Sequence, residues 1–296
     1  MKAKFKIDEL IFTAVFLLLP LIFNPFSGEV EKPKLILVAA LALFLLLYKQ
    51  KFDIKNRVIK YSLAALIVFG GISTILAENS YLAFFGSWDR AFGFLAILSC
   101  ILIALAMPKF KAEKISGLFI LSGALTALIG IFMSAYAPDS LFEGRMGGTT
   151  GNPNILGAFL VPTIFLTLPR LNRKEKFPWI ALALQLFALF QTGNRASWLV
   201  LAVITLAYFF TQKKKSPVAI LSTLLATLSF AFIGIDRILQ TDSLYTRLQL
   251  YWLALKETLT HPFFGIGFEH TQTILENPDF IQLPDRAHPP FLDMAL

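Results

Sequence analysis

The feature that most constrains this chain is its division into apolar runs of bilayer length joined by short charged links. Runs begin at about Leu10–Phe23 and continue at Pro33–Tyr48, Ile59–Ala77, Ala91–Met107, Ile115–Tyr136, Asn154–Leu168, Trp179–Thr192, Ala196–Phe210 and Pro217–Ile235. Each approaches the ~20 residues that a helix needs to cross the hydrocarbon layer. Only helices and closed barrels satisfy their backbone groups in lipid, and the alternating pattern of barrel strands is absent. The composition agrees, with 56% hydrophobic residues, mean hydropathy +0.67 and 30 phenylalanines. The expected fold is therefore all-α, a polytopic transmembrane helical bundle of about nine to ten spans.

The first run follows Lys2, Lys4 and Lys6 but has no small-residue cleavage site after it. Asn24-Pro25-Phe26 comes next, so it reads as a retained span rather than a signal peptide. The single cysteine, Cys100, lies inside an apolar run and is silent on redox compartment.

The net charge of +8 does not point to nucleic acid, because 18 of the 27 Lys and Arg residues sit in five short links: 1–9, 49–60, 108–114, 169–178 and 211–216. Placing the N-terminus in the cytoplasm puts all five links inside, as the positive-inside rule requires. It also places 14 of the 19 Asp and Glu residues outside. The long polar stretch after the ninth run, 236–290, then becomes a large external loop. The inner links are mostly lysine. The outer segments hold three lysines and six arginines: Arg90, Arg145, Arg195, Arg237, Arg247 and Arg286. A guanidinium fork suits phosphate and carboxylate better than an ammonium does, so the external face reads as built to hold an anion.

Four motifs lie on that face. Arg145 to Asn154 (RMGGTTGNPN) is a glycine-rich turn in which Asn152 and Asn154 can cap the following helix. Free N–H groups at such a start attract anions, and Arg145 can add to them. The plainer reading is a capped helix after a turn. Gln191–Ser197 (QTGNRAS) is a seven-residue link with Arg195 at the membrane boundary. An arginine there is a functional candidate, against the alternative of a snorkelling side chain. Asp242–Thr260 reads as an interfacial amphipathic helix, with Leu244, Leu248, Tyr251, Leu255 and Leu259 as its stripe, Arg247 on its flank and His261-Pro262 as its end. Phe263–Phe268 (FFGIGF) is a glycine turn returning the chain to the membrane.

All three histidines fall in this external region. His261 and His270 read as ordinary loop or cap residues, and no ligand spacing supports a metal site of His270, Glu269 and Asp285. His288, in Asp285-Arg286-Ala287-His288, stands just before a fresh apolar run. It is the best general-base candidate, because imidazole exchanges protons near neutral pH.

Taken together and in order, GRMGGTTGNPNILG, QTGNRASW, YTRLQLYWLALKETLTHPFFGIGF and DRAHPPFLD resemble the O-antigen ligase and O-antigen polymerase family, from about Phe84 onward. The resemblance implies an all-helical membrane glycosyltransferase of the GT-C type, with a large external loop over the site. The implied donor is a glycan on undecaprenyl diphosphate. The implied acceptor is a glycan, glycolipid or protein hydroxyl. No metal or other cofactor is implied, nor any nucleic acid. The family's two essential arginines map onto Arg195 and Arg247, and its essential histidine onto His288. Arg145, Asn152, Asn154 and Arg286 would be supporting residues.

The implied setting is the bacterial cytoplasmic (inner) membrane, with a cytoplasmic N-terminus and a periplasmic active site. The division would be N-terminal spans over 1–83 and a ligase-like membrane domain over 84–296. Within the family, ligase, polymerase and protein-glycosylating members leave no separating signature here. A transporter or lipid carrier would instead place ionisable groups at mid-span. A purely structural subunit would leave the external arginine excess without a role. Two departures stand out: Pro289-Pro290 follows His288 where the family usually has Asn, and the sequence ends at Leu296, six residues into an apolar run. That ending reads as a fragment.

Overall fold

The computed structural model describes residues 13–22, 31–48, 54–87, 91–106, 112–137, 144–172 and 175–211, the single positions 224, 227, 251, 252, 255 and 256, and residues 258–270. The fold is all-α: among the described residues every regular element is helical. The helices are α1 (Glu31–Leu47), α2 (Arg57–Leu76), α3 (Ser80–Phe85), α4 (Phe94–Ala106), α5 (Ala112–Tyr136), α6 (Pro153–Thr167), α7 (Phe177–Thr192) and α8 (Arg195–Thr211). The expected runs from Pro33–Tyr48 to Ala196–Phe210 coincide with α1, α2 and α4 to α8. The run 217–235 lies outside the described residues except for positions 224 and 227, both helical.

Among the described residues, three helical stretches are long and apolar enough to cross a bilayer: Arg57–Leu76, Glu113–Tyr136 and Pro153–Leu171. Helices α4, α7 and α8 are apolar but shorter. Helix α2 shows what apolar solvent permits. Asn56 caps it, its Oδ1 accepting from the Val58 N–H at 2.9 Å. Only Gly70 and Thr74 are buried, while Val58, Ile67, Phe69, Ile75 and Leu76 are exposed. A helix apolar on every face and open on most of them belongs in lipid. The first run departs from a regular helix. Ala14–Leu18 is a π-helical turn and Leu19–Leu21 a 3-10 turn, with Pro20 denying the ladder a donor.

The chain forms two compact units. The first comprises residues 1–34 and 110–239. Its centre is α6, which packs against α5, α7 and α8. Leu156, Leu160, Ile164, Leu189, Trp198 and Leu201 form its core. Close approach comes from small residues, as in other membrane bundles: a Cβ on Gly123 of α5 would sit 2.6 Å from Thr163 Oγ1 of α6. Gln185 of α7 is fully buried. Its Nε2 donates to the Ile120 carbonyl at 3.2 Å and its Oε1 accepts from Thr167 Oγ1 at 3.2 Å, joining α7 to α5 and α6.

These contacts fix direction. The ends of α6 and the starts of α5 lie together, where Arg170 Nη2 donates to the Glu113 carbonyl at 2.9 Å and to Ser116 Oγ at 2.7 Å. The start of α6, the end of α7 and the start of α8 meet at the opposite end.

The second unit comprises residues 35–109 and 240–296. It holds most of α1, then α2, α3 and α4, with the segment 258–270 docked on them.

Candidate functional site

In the first unit, two of the sequence motifs interlock. Residues 191–197 are not a seven-residue link. Helix α7 runs to Thr192, Gly193 takes the left-handed conformation (φ 57°) that closes it, and α8 starts at Arg195. The connection is two residues long. Asn194 caps α8, its Oδ1 accepting from the Ser197 N–H at 3.3 Å. The turn 144–152 lies alongside. Thr150 Oγ1 donates to the Gly147 carbonyl at 2.7 Å. Thr149 Oγ1 donates to the Pro20 carbonyl at 2.7 Å, tying the turn to the first run. Asn152 caps α6 through the Asn154 N–H at 2.8 Å. The Met146 N–H donates to the Gln191 carbonyl at 3.0 Å, and Asn194 Nδ2 donates to the Asn154 carbonyl at 3.1 Å. The starts of α6 and α8 are thereby held side by side.

The two arginines here have different surroundings. Arg145 Nε donates to the Thr192 carbonyl at 3.1 Å, and its Nη2 donates to Asn154 Oδ1 at 3.1 Å. It therefore meets the carbonyl end of α7, where the helix dipole favours a cation. Arg195 is half-buried and is the first residue of α8, where the dipole disfavours a cation. Neither α6 nor α8 has an acidic residue in its first turn. Two helix starts, one arginine and two neutral asparagine caps come together here, the arrangement that suits an anion. Arg145 works as a staple between the 144–152 turn and α7. Asn194 carried no signal of its own in the sequence beyond the ordinary preference for Asn before a helix.

In the second unit, the histidine and glycine motif is a packing device. Helical residues 258–260 end at Thr260, followed by the turn at His261, as the sequence indicates. Phe264 stacks on Phe69 of α2 with ring centroids 5.9 Å apart, and Phe268 stacks on Phe94 of α4 at 5.7 Å. Gly267 has φ 99° and lies so close over Ala77 that a Cβ would collide with it. The second glycine of FFGIGF is thus explained by close packing. His270 is not an ordinary loop residue, because it is 2% exposed. Its Nδ1 faces the Phe268 carbonyl at 2.9 Å and its Nε2 accepts from the Asn79 N–H at 3.1 Å. Those partners require a neutral ring carrying its proton on Nδ1. Glu269 Oε1 accepts from the Phe92 N–H at 3.2 Å, which commits that carboxylate to holding the loop.

Arg247, Arg286 and His288 lie outside the described residues. So does Asp285, the third member of the metal alternative. Among the described residues, no three His, Cys, Asp or Glu side chains gather where they could hold a metal ion.

Residues 180–296 match the protein-family model described as O-antigen ligase. The match takes in most of α7, the Gly193–Asn194 turn, α8 and the histidine and glycine segment. No curated protein and no solved structure matches the chain.

Proposed function

We propose, from the premise that this match assigns the chain to the O-antigen ligase family, that it transfers a glycan from a polyprenyl diphosphate to an acceptor hydroxyl at the external membrane face. The donor lipid is undecaprenyl diphosphate, and the acceptor is a sugar or protein hydroxyl. The observation that carries the reading is Arg195 as the first residue of α8, beside the start of α6, with no acidic residue in either first turn. A cation at that end costs about 0.3–1 kcal/mol of helix stability, and an anion reverses the sign.

Arg195 and Arg247 hold the diphosphate, with Arg145, Asn152, Asn154 and Arg286 in support. His288 takes the proton from the acceptor hydroxyl. The acceptor oxygen then bonds to the anomeric carbon as the bond from that carbon to the diphosphate oxygen breaks. The electron pair leaves on the diphosphate, where the arginines stabilise the added charge. Attack opposite the leaving group inverts the anomeric centre. This chemistry requires no metal.

The topology belongs to the same proposal. It comprises a cytoplasmic N-terminus in the bacterial inner membrane, spans over 1–83 and the ligase-like domain over 84–296. Its support within the first unit is that Arg170 and Lys176 lie towards one end and the Arg145–Asn194 turns at the other.

The test is arginine geometry in cells making the lipid-linked glycan. Arg195→Lys and Arg247→Lys should each lower transfer by about 10- to 100-fold, the loss of one charge-assisted contact of ~1.5–3 kcal/mol. The lipid-linked glycan should accumulate in step. Near-parental transfer with lysine at both positions would refute the assignment.

A further inference from the structure

We infer that Asn194 is a positioning residue for Arg195: its side-chain amide locks the start of α8 to the start of α6 and so sets where that guanidinium stands. The inference rests on the reading of Arg195 as a diphosphate ligand.

The cap alone does not explain an asparagine here. Ser, Thr, Asp and Gly all cap helices well, and each of the first three supplies an acceptor for the Ser197 N–H. What Asn adds over them is a neutral amide donor. That donor is used, because Nδ2 reaches the Asn154 carbonyl at 3.1 Å on the neighbouring helix. The main chain of Asn194 is committed as well. Its N–H donates to Thr192 Oγ1 at 3.2 Å, and its carbonyl accepts from the Trp198 N–H at 3.3 Å. The residue is 9% exposed and touches α6, α7 and α8 at once.

Gly157 makes the contact close. A Cβ there would lie 2.7 Å from Ser197 Oγ and 2.9 Å from Asn194 Nδ2. The lock extends one link further, since Asn154 Oδ1 accepts from Arg145 Nη2 at 3.1 Å. Arg195 is the next residue along the chain, so any rotation of the α8 start swings it directly. Neutrality matters too. An aspartate cap would set a carboxylate beside Arg195 and compete with a bound anion for it.

The test measures binding of undecaprenyl diphosphate to the chain in nanodiscs, with undecaprenol as the lipid lacking the anion. Asn194→Ser keeps the cap and removes the amide donor. It should weaken undecaprenyl diphosphate binding about tenfold, the low end for one charge-assisted contact, leave undecaprenol binding unchanged and lower the melting temperature by no more than the roughly 2–4 °C that one hydrogen bond is worth. Gly157→Ala, which wedges the two helix starts apart by pressing on Ser197 Oγ and Asn194 Nδ2, should weaken diphosphate binding similarly without replacing Asn194 or Arg195. In a double-mutant cycle, Asn194→Ser should cost nothing further once Arg195→Ala is present.

Unchanged diphosphate binding in Asn194→Ser, or full additivity with Arg195→Ala, would overturn the inference. So would a larger drop in melting temperature with parallel loss of both lipids, which marks a folding role. Arg195→Ala that binds undecaprenyl diphosphate like the parent would instead overturn the diphosphate reading itself, and the inference with it.

Discussion

His270→Ala should cost the protein about 2–4 kcal/mol. The ring is 2% exposed and serves two main-chain groups, the Asn79 N–H at 3.1 Å and the Phe268 carbonyl at 2.9 Å. Truncation orphans both. An unsatisfied buried donor or acceptor costs ~1–3 kcal/mol, and each bond that water replaces still forfeits about 0.5–1.5 kcal/mol. Asn79 is also the N-cap of α3, so its own N–H has no partner within that helix.

The isosteres separate the two bonds. Gln places an acceptor near the position of Nε2 and should restore the Asn79 bond; Asn places a donor near Nδ1 and should restore the Phe268 bond. Each should recover roughly half of the loss. At 2–4 °C per kcal/mol, His270→Ala should melt on the order of 5–10 °C below the parent. The sharper assay is hydrogen exchange at the Asn79 amide. It should lose protection in His270→Ala and keep it in His270→Gln. An Asn79 amide equally protected in the parent and in His270→Ala would refute the reasoning, as would an unchanged melting temperature.

Gln185→Leu should change stability by less than about 1 kcal/mol, because Thr167 Oγ1 still donates to the Thr163 carbonyl at 2.7 Å and no donor is orphaned. Gln185→Glu should cost several kcal/mol, since it turns the donor at the Ile120 carbonyl into a buried acceptor or charge; equal melting of the two variants sinks that account. In a Cys100→Ala background, a cysteine at Gln272 should react with an impermeant thiol reagent in intact cells and one at Lys214 should not. The opposite pattern reverses the topology. His288→Ala should lower glycan transfer by about 10²–10⁴-fold, the usual contribution of a positioned base. His261→Ala, an exposed site whose ring contacts neighbouring Thr260 Oγ1 at 3.0 Å, is the control and should transfer at the parental rate. His288→Ala at the parental rate would remove it from the mechanism.

The long helices were legible because each is one apolar run, and because Asn152 announces the start of α6, whereas the short α3 (Ser80–Phe85) lies between two expected runs and was not read. The irregular first run was foreshadowed only by Pro20. The QTGNRAS turn was read too long because Gln, Thr, Ser and Ala are neutral evidence for a helix end. Only the backbone shows that Gly193 alone breaks the ladder. His270 was misread for a different reason. Its partner Asn79 is 191 positions away, and no local pattern encodes a contact of that separation. FFGIGF was legible as a glycine turn, but the cause of Gly267, Ala77 packed against it, was not.

Charge asymmetry in the sequence singled out Arg145 and Arg195 together, and the family resemblance set Arg195 above Arg145. Helix direction separates the two independently. α7 ends where α8 begins, two residues apart, so opposite poles of two helix dipoles stand next to each other. Arg145 meets the negative pole through the Thr192 carbonyl, and its charge is met within the fold. Arg195 adds its charge to the positive pole, and a first turn without Asp or Glu leaves that pole uncompensated by its own helix. Selection for stability alone would favour the reverse placement, with the acid at the start of α8 and the base at the end of α7. On the proposed reading, an anion held at that pole offsets the cost of placing Arg195 there. The diphosphate of a lipid-linked donor is the anion proposed for that place, and the neutral cap at Asn194 adds no carboxylate to compete with it.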